Sequence, residues 1–410
     1  MRNQAAEMTF RTLDHVQLAA KRAMVRVDFN VPMHDGKVTD DTRLRAALPT
    51  IDLLRRAGAE TILISHFDRP KGKCVPSMSL RPVAACLAKL LGAPVAFAND
   101  CVGPVAKAAV DAMGTGDVLL LENLRFHPGE EANDAAFAKE LAENVDLYVN
   151  DAFSAAHRAH ASTVGLAHLL PAYAGEDMRR ELEALQAALD HPAHPVLGVV
   201  GGSKVSTKLD LLRNLILKLD RLAIGGGMAN TFLFAQGWSV GASRCEKELA
   251  EAARDIMLFA EKHACELLLP TDVVVAEQAE PASPTRVVER GQVSDTECIF
   301  DVGPGTVRRV LAAIDEANTL IWNGPLGVFE VPPFDKATLA VARHAAERTK
   351  AGKLVAVAGG GDTEAALNAA GVASDFTFVS TAGGAFLEWM EGKVLPGVAA
   401  LEGQAQIDGR

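Results

Sequence analysis

Arginine and histidine recur where short apolar runs end in the first half of the chain, a placement suited to gripping a compact polyanion. Run 23–27 leads into Arg26-Val27-Asp28-Phe29-Asn30 with Arg43 shortly beyond, and the next delivers Ser65-His66-Phe67-Asp68-Arg69. Later runs deliver Glu122-Asn123-Leu124-Arg125 and Asn150-Asp151-Ala152-Phe153, ahead of His157-Arg158-Ala159-His160. Guanidinium forks make bidentate, charge-assisted hydrogen bonds to phosphate or carboxylate and keep their proton throughout. A phosphorylated carboxylic acid is a natural guest, and Asp28 and Asn30, two apart on a strand end, face the same way toward a substrate hydroxyl. A single Arg after a strand is more often solvated or salt-bridged. The convergence of Arg26, Arg43, His66, Arg69, Arg125, His157 and Arg158 is what points to a site. His157 and His160 have a metal-ligand spacing, but no third ligand follows at a suitable distance, so no metal is expected there.

In the second half the run ends are glycine-rich. They read Gly201-Gly202-Ser203-Lys204-Val205-Ser206-Thr207-Lys208, Gly225-Gly226-Gly227, Asp301-Val302-Gly303-Pro304, Trp322-Asn323-Gly324-Pro325 with Glu330 beyond, Gly359-Gly360-Gly361-Asp362-Thr363, and Thr381-Ala382-Gly383-Gly384. Glycine lets backbone amides approach an anion, and a following helix adds its positive end. Lys204 and Lys208, four apart, are expected on one face of the first turns of a helix, both reaching phosphates. Asp362 is placed either to hold Mg²⁺ together with substrate phosphates or to cap a helix, and Glu330 is placed to meet a ribose. Neither Gly-x-x-x-x-Gly-Lys-Ser/Thr nor Gly-x-Gly-x-x-Gly after a strand occurs, so P-loop and dinucleotide fingerprints are both missing.

The elements that must carry these residues are short Val/Ile/Leu-rich runs alternating with helix-period segments: 23–27, 61–65, 118–121, 147–150, 196–200, 221–224, 319–322 and 354–358. Strands buried on both faces and alternating with helices predict α/β architecture in both halves, parallel sheets flanked by helices. At 410 residues the chain exceeds what one core organises. Leu182, Leu185 and Leu189 line one face of a predicted helix that ends before His191-Pro192, so the expected division is 1–175, a connecting helix and hinge over 176–190, 191–395, and a segment 396–410 returning to the first domain. The net charge of -11 gives no surface for nucleic acid or anionic membranes. The six cysteines show no Cys-x-x-Cys spacing and no export or membrane-spanning segment is apparent, which predicts a cytoplasmic protein with reduced thiols. Residues 1–7 differ in character from the rest of the chain, making Met8 an alternative start.

In this order, Arg-Val-Asp-Phe-Asn-Val-Pro, Leu-Glu-Asn-Leu-Arg-Phe, Asn-Asp-Ala-Phe with His-Arg-Ala-His, Gly-Gly-Ser-Lys-Val-Ser-Thr-Lys, Trp-Asn-Gly-Pro-Leu-Gly-Val-Phe-Glu and Gly-Gly-Gly-Asp-Thr resemble phosphoglycerate kinase from about Met8 to Leu401. The resemblance implies a monomer of two Rossmann-like domains, the N-terminal one binding 3-phosphoglycerate and the C-terminal one Mg-ATP or Mg-ADP, with hinge closure and reversible phosphoryl transfer yielding 1,3-bisphosphoglycerate in glycolysis. By motif, it assigns Arg26, Asp28, Asn30, Arg43, His66, Arg69, Arg125, His157 and Arg158 to substrate, and Lys204, Lys208, Gly227, Asn323, Glu330, Gly360, Gly361, Asp362 and Thr363 to nucleotide. Arg43, Lys204 and Gly383 fall to the moving phosphoryl and Asp362 to Mg²⁺. Two residues stand where the family usually has Gly: Asp68, expected to point away or pair with a neighbouring Arg, and Ala382, expected to take a negative φ and still offer its amide. The connector Glu176-Asp177-Met178-Arg179-Arg180 is more charged than usual. The competing readings are a two-domain anion-binding protein without catalysis and a nicotinamide dehydrogenase.

Overall fold

The computed structural model describes residues 10–281 and 283–407, with side chains described to residue 402; the alternative start at Met8 lies outside the described residues. The chain divides into two compact units, Met1–Leu182 with Val394–Arg410, and Glu183–Lys393.

In the first unit the strand Arg22–Val27 is buried along nearly its whole length, as its apolar sequence requires. It pairs in parallel with Glu60–Ile64 on one side and Leu147–Asp151 on the other. The full sheet runs Ala96–Phe97, Val118–Leu120, Glu60–Ile64, Arg22–Val27, Leu147–Asp151, Ala172–Ala174. Leu44, Ile51 and Leu54 from the helix Thr42–Arg56, and Val83 and Leu87 from Arg81–Leu91, close over Val25, Leu63 and Val149 to make one core. Each such fully buried aliphatic side chain contributes roughly 1.5–3 kcal/mol. The last helix, Pro396–Ile407, belongs to this unit, with the Gly397 amide donating to the Ala156 carbonyl at 2.8 Å.

The second unit has a parallel sheet ordered Glu266–Leu268, Arg221–Ile224, Val196–Val200, Thr319–Asn323, Val355–Gly359, Phe378–Ser380. Its core joins Leu320, Trp322 and Ala356 to Val310 and Ile314 of Pro304–Glu316 and to Val341 and Ala345 of Lys336–Lys350. The two large sheets are parallel and flanked by helices, as expected; the second unit adds a small sheet in which Asp272–Ala276 pairs antiparallel with both Arg286–Glu289 and Cys298–Val302. Arg286–Glu289 is mostly exposed, so it lacks the continuous apolar run that marks a doubly buried strand. A helix Glu176–Leu185 continues with wider turns through Gln186–Asp190, and Leu182, Leu185 and Leu189 are all buried. No helix among the described residues is long and apolar enough to cross a membrane.

In both sheets the winding direction reverses beside the first strand. In the first unit the reversal falls between Arg22–Val27 and Leu147–Asp151, and in the second between Val196–Val200 and Thr319–Asn323. Loops leaving the carboxyl ends at such a reversal diverge and leave a crevice, where ligands of open α/β sheets bind.

Candidate active site

At the crevice of the first unit the chain gathers its basic side chains. Arg26 lies within a fully buried strand and is only 1% exposed, so its charge requires partners. It donates from Nε to Ser162 Oγ at 2.9 Å and lies 3.1 Å from His66 Nδ1. Because guanidinium only donates, His66 Nδ1 accepts and this ring is neutral. Burial first, then the fields of Arg26, Arg125, Arg158 and Arg43, hold His66 well below the usual histidine range. The same charges act on His160, which burial and Arg26 bring down to about 4. Arg26, Arg43, His66, Arg125, His157, Arg158 and His160 therefore form one neighbourhood whose positive charge is carried by the arginines. Arg69 is exposed and is not among the groups acting on His66.

Polar side chains that the sequence reading did not single out hold this cluster in place. The wholly buried Glu130 accepts from Ser162 Oγ at 2.6 Å and its amide at 3.0 Å, so Ser162 ties Arg26 to a buried carboxylate. Glu131 lies 3.2 Å from Arg125 Nε, and Ser154 Oγ donates to Asp28. Nothing in residue spacing marks these partners, because they come from three separate short helical segments, 128–131, 153–155 and 161–165.

Asp28 and Asn30 lie beyond the strand, which ends at Val27, and take different partners: the Ser154 hydroxyl donates to Asp28 and the Asp68 amide to Asn30 Oδ1. The Asn30 amide donates to Asp28 Oδ1 at 3.1 Å, a local side-chain turn. Arg43 Nη1 then sits 3.0 Å from Asp28 Oδ2 and donates to the Asn30 carbonyl at 2.8 Å.

In the second unit the walls are backbone. A cleft of about 230 Å³ is lined by Gly202, Gly226, Gly227, Asp301, Glu330 and Asp362, among others. The helix Gly226–Ala235 begins in this wall and Gly361–Ala370 begins beside Asp362, so two helix amino ends face the space. A Cβ on Gly227 would sit 2.9 Å from the Ser203 carbonyl oxygen, which restricts this position to glycine. Gly360 has φ +97, a conformation L side chains avoid, and turns the chain into its helix. Thr363 Oγ1 accepts the Gly324 amide at 2.7 Å, and Asn323 Nδ2 donates to the Gly359 carbonyl at 2.8 Å. Asp301 is a buried carboxyl on the cleft wall, pushed up to about 7 by desolvation.

Lys204 and Lys208 are not on a helix: residues 201–208 form an irregular loop, and the helix starts at Leu209. The Lys208 amide closes a turn onto the Val205 carbonyl, which separates the two side chains. Lys204 is exposed. Lys208 folds under, its Nζ 2.6 Å from the Gly201 carbonyl, 2.6 Å from Asn323 Oδ1 and 3.2 Å from the Asn323 carbonyl. Its ammonium thus cross-links the two loops at the sheet's reversal, and burial lowers it to about 8.

A cation cluster at one sheet reversal and an amide-lined cleft at another suit a phosphorylated acid and a nucleotide. A family model described as phosphoglycerate kinase matches residues 13–393. The chain belongs to the phosphoglycerate kinase family. It is 69% identical over 395 residues to the phosphoglycerate kinase of Caulobacter vibrioides (strain NA1000 / CB15N), covering 96% of this chain and all of that one. It is 59% identical over 396 residues to that of Zymomonas mobilis, covering 96% and 100%. The structure of phosphoglycerate kinase from Coxiella burnetii superposes with a TM-score of 0.92 at 44% identity, covering 97% of this chain and 100% of that one. Phosphoglycerate kinase from Pyrococcus horikoshii OT3 gives 0.80 at 29% identity, covering 97% and 99%. As a phosphoglycerate kinase the protein is a phosphotransferase of glycolysis.

Two departures from the phosphoglycerate kinase pattern resolve differently. Asp68 takes φ +51, which Asp tolerates, and is exposed; its carbonyl rather than its carboxylate accepts from Arg125 Nη1, at 2.7 Å. Its amide donates to Asn30 Oδ1 at 2.9 Å. Ala382 has φ -95, negative as expected, but its amide is not on offer, since it donates to Ser380 Oγ at 3.2 Å. Gly383 opens the helix Gly383–Met390, leaving that helix's own first amides for an anion.

Proposed function

We propose that the chain transfers the terminal phosphoryl of ATP, reversibly and with Mg²⁺, to the carboxylate of 3-phosphoglycerate, giving 1,3-bisphosphoglycerate and ADP. The reading rests on one observation: the basic neighbourhood around Arg26 and His66 and the glycine-walled cleft each occupy the crevice where their sheet reverses. Family membership favours catalysis over simple anion capture.

The nucleophile is an ionised carboxylate, so no general base is required. The chemical demand is neutralisation of charge as two anions meet, in a site that excludes water. In this reading Arg26, His66, Arg69, Arg125, His157 and Arg158 hold the phosphate and carboxylate of the acid, and Asp28 and Asn30 receive its hydroxyl. Gly227, Gly360, Gly361 and Thr363 present backbone to the nucleotide, Glu330 meets the ribose, and Lys208 with Asn323 keeps the two loops in register. Arg43, Lys204 and the amide of Gly383 meet the moving phosphoryl. Asp362, an exposed carboxylate at a helix start on the cleft wall, fits an ion that takes one or two carboxylates plus phosphates. When bound there, Mg²⁺ would supply neutralising charge to the terminal phosphates. Because the half-sites lie on separate units, the reaction calls for hinge closure, and we take the protein to act as a cytoplasmic monomer without nucleic-acid or membrane partners.

Titrating the chain separately with Mg-ATP, 3-phosphoglycerate and NAD while following thermal unfolding tests this. A ligand at about a hundredfold over its Kd stabilises by about 2.7 kcal/mol. Both kinase substrates should raise Tm and NAD should not; stabilisation by NAD alone would overturn the assignment.

A further inference from the structure

Outside the two crevices, Asp100, Cys101 and His127 bring together one donor each of three kinds, and their ligand atoms all lie within 4.8 Å of one another. Asp100 and Cys101 occupy the turn between Ala96–Phe97 and the helix Gly103–Asp111, while His127 immediately precedes the helix Pro128–Glu131. Distant stretches of chain are therefore folded into one cluster. Cys101 is 2% exposed and forms its floor, whereas the Asp100 and His127 side chains keep 40% and 31% of their exposure.

The donors are held in orientation. His127 stacks on Phe137 at 5.3 Å between ring centroids, and its Nε2 is 2.7 Å from Asp100 Oδ1. The same Asp100 oxygen accepts the Cys101 amide at 2.7 Å, which fixes the carboxylate against its neighbour. Burial first, then the negative charges of Asp100, Glu130 and Glu122, push the Cys101 thiol well above its usual range, so it keeps its proton until a cation, drawn by the same negative potential, displaces it.

The geometry points to a site for one borderline-soft divalent cation, Zn²⁺ or its spectroscopic substitute Co²⁺, ligated by the Asp100 carboxylate, the Cys101 thiolate and the His127 imidazole, with water in the fourth position. A mixed oxygen, nitrogen and sulfur set suits zinc and is wrong for magnesium, so this site is distinct in chemistry from that of the nucleotide-bound metal. On binding, the Cys101 S–H bond breaks, a sulfur–metal bond forms, and the proton leaves to solvent. The cation also takes the place of the hydrogen bond between His127 and Asp100: the Nε2–H bond breaks as the nitrogen–metal bond forms, and the neutral ring keeps its one proton on Nδ1. Two legs of about 2.0 Å at a tetrahedral angle separate nitrogen and oxygen by about 3.3 Å. Starting from 2.7 Å, the nitrogen–oxygen edge opens by about half an ångström, while the edges to sulfur, within 4.8 Å here, settle to about 3.5 Å, adjustments made by rotation of the half-exposed Asp100 and His127 side chains. The competing description is an ion pair pinning a turn above an ordinary core cysteine, and the two differ in whether sulfur is ligated.

The test adds Co²⁺ to the full, metal-stripped chain and follows the sulfur-to-cobalt charge-transfer absorption in the near ultraviolet. The site predicts a band that saturates at one equivalent, is displaced by Zn²⁺, and is lost in Cys101→Ala. His127→Gln, at a partly exposed position that keeps the fold, should weaken Zn²⁺ binding at least about tenfold. Absence of the band, its persistence in Cys101→Ala, or unchanged Zn²⁺ affinity in His127→Gln would each overturn the site.

Discussion

Replacing Arg43 with alanine should separate stability from turnover. The side chain is 35% exposed, and its ion pair with Asp28, at 3.0 Å, is therefore screened and contributes at most about 1 kcal/mol. Asp28 would not be stranded, because the Ser154 hydroxyl and the Asn30 amide still donate to it. For a structural unit of this size the expected loss in Tm is about 2–4 °C. Catalysis should respond on another scale. Removing one preorganised donor from a developing anion typically costs about 2.7–4 kcal/mol, or 10²–10³ in kcat. Steady-state kinetics with saturating ATP and 3-phosphoglycerate should show kcat down by about a hundredfold or more and KM for ATP little changed. Arg43→Lys should recover only part, since an ammonium lacks the planar fork. A folded Arg43→Ala protein with kcat within about threefold of the parent would remove Arg43 from the reacting phosphoryl.

Other consequences arise from the buried charges and the glycine walls. His160 is held at about 4, below its ordinary 6.5, so the unfolded chain takes up its proton first. Its contribution is intact above pH 6.5 and is lost as pH falls toward 4, on the order of 3 kcal/mol, with His66 acting in the same direction. Urea unfolding across that range should show the decline, and His160→Gln should flatten it; an unchanged slope would contradict the cause. Lys208, lowered by burial to about 8, should regain its proton when nucleotide charge arrives. Calorimetry of ATP binding near pH 8 in buffers of different ionisation enthalpy should reveal proton uptake, and buffer-independent heats would refute it. Gly227→Ala forces a Cβ to within 2.9 Å of the Ser203 carbonyl, so KM for ATP should rise on the order of tenfold while KM for 3-phosphoglycerate holds; equal changes in both would argue for general unfolding.

Doubly buried parallel strands were legible because burial on both faces leaves a continuous apolar run: 196–200 and 221–224 coincide with Val196–Val200 and Arg221–Ile224. The half-exposed antiparallel strand Arg286–Glu289 carries no such run and was not seen. Glycine and arginine at strand ends were legible as a class, since amides and guanidinium forks are what phosphates need. How those side chains are engaged was not. Lys208 reads as a phosphate ligand by spacing, yet its neighbours are the Gly201 carbonyl of its own loop and Asn323, which only the pairing of distant strands brings beside it. The Ser162 and Glu130 support of Arg26 is likewise spread over one strand and two helical segments far apart in the chain, and the Ser380 hydroxyl that takes up the Ala382 amide is set by local backbone geometry.

The most direct measurement supplies purified chain with ATP, Mg²⁺ and 3-phosphoglycerate and tracks formation of the acyl phosphate through a coupled reductive dephosphorylation. Turnover should be observed with all three present and should vanish when either 3-phosphoglycerate or Mg²⁺ is withheld. ATP consumption at the same rate without 3-phosphoglycerate, or no acyl phosphate from a folded protein, would contradict a cationic cluster and an amide-lined cleft acting as the two halves of one transfer site.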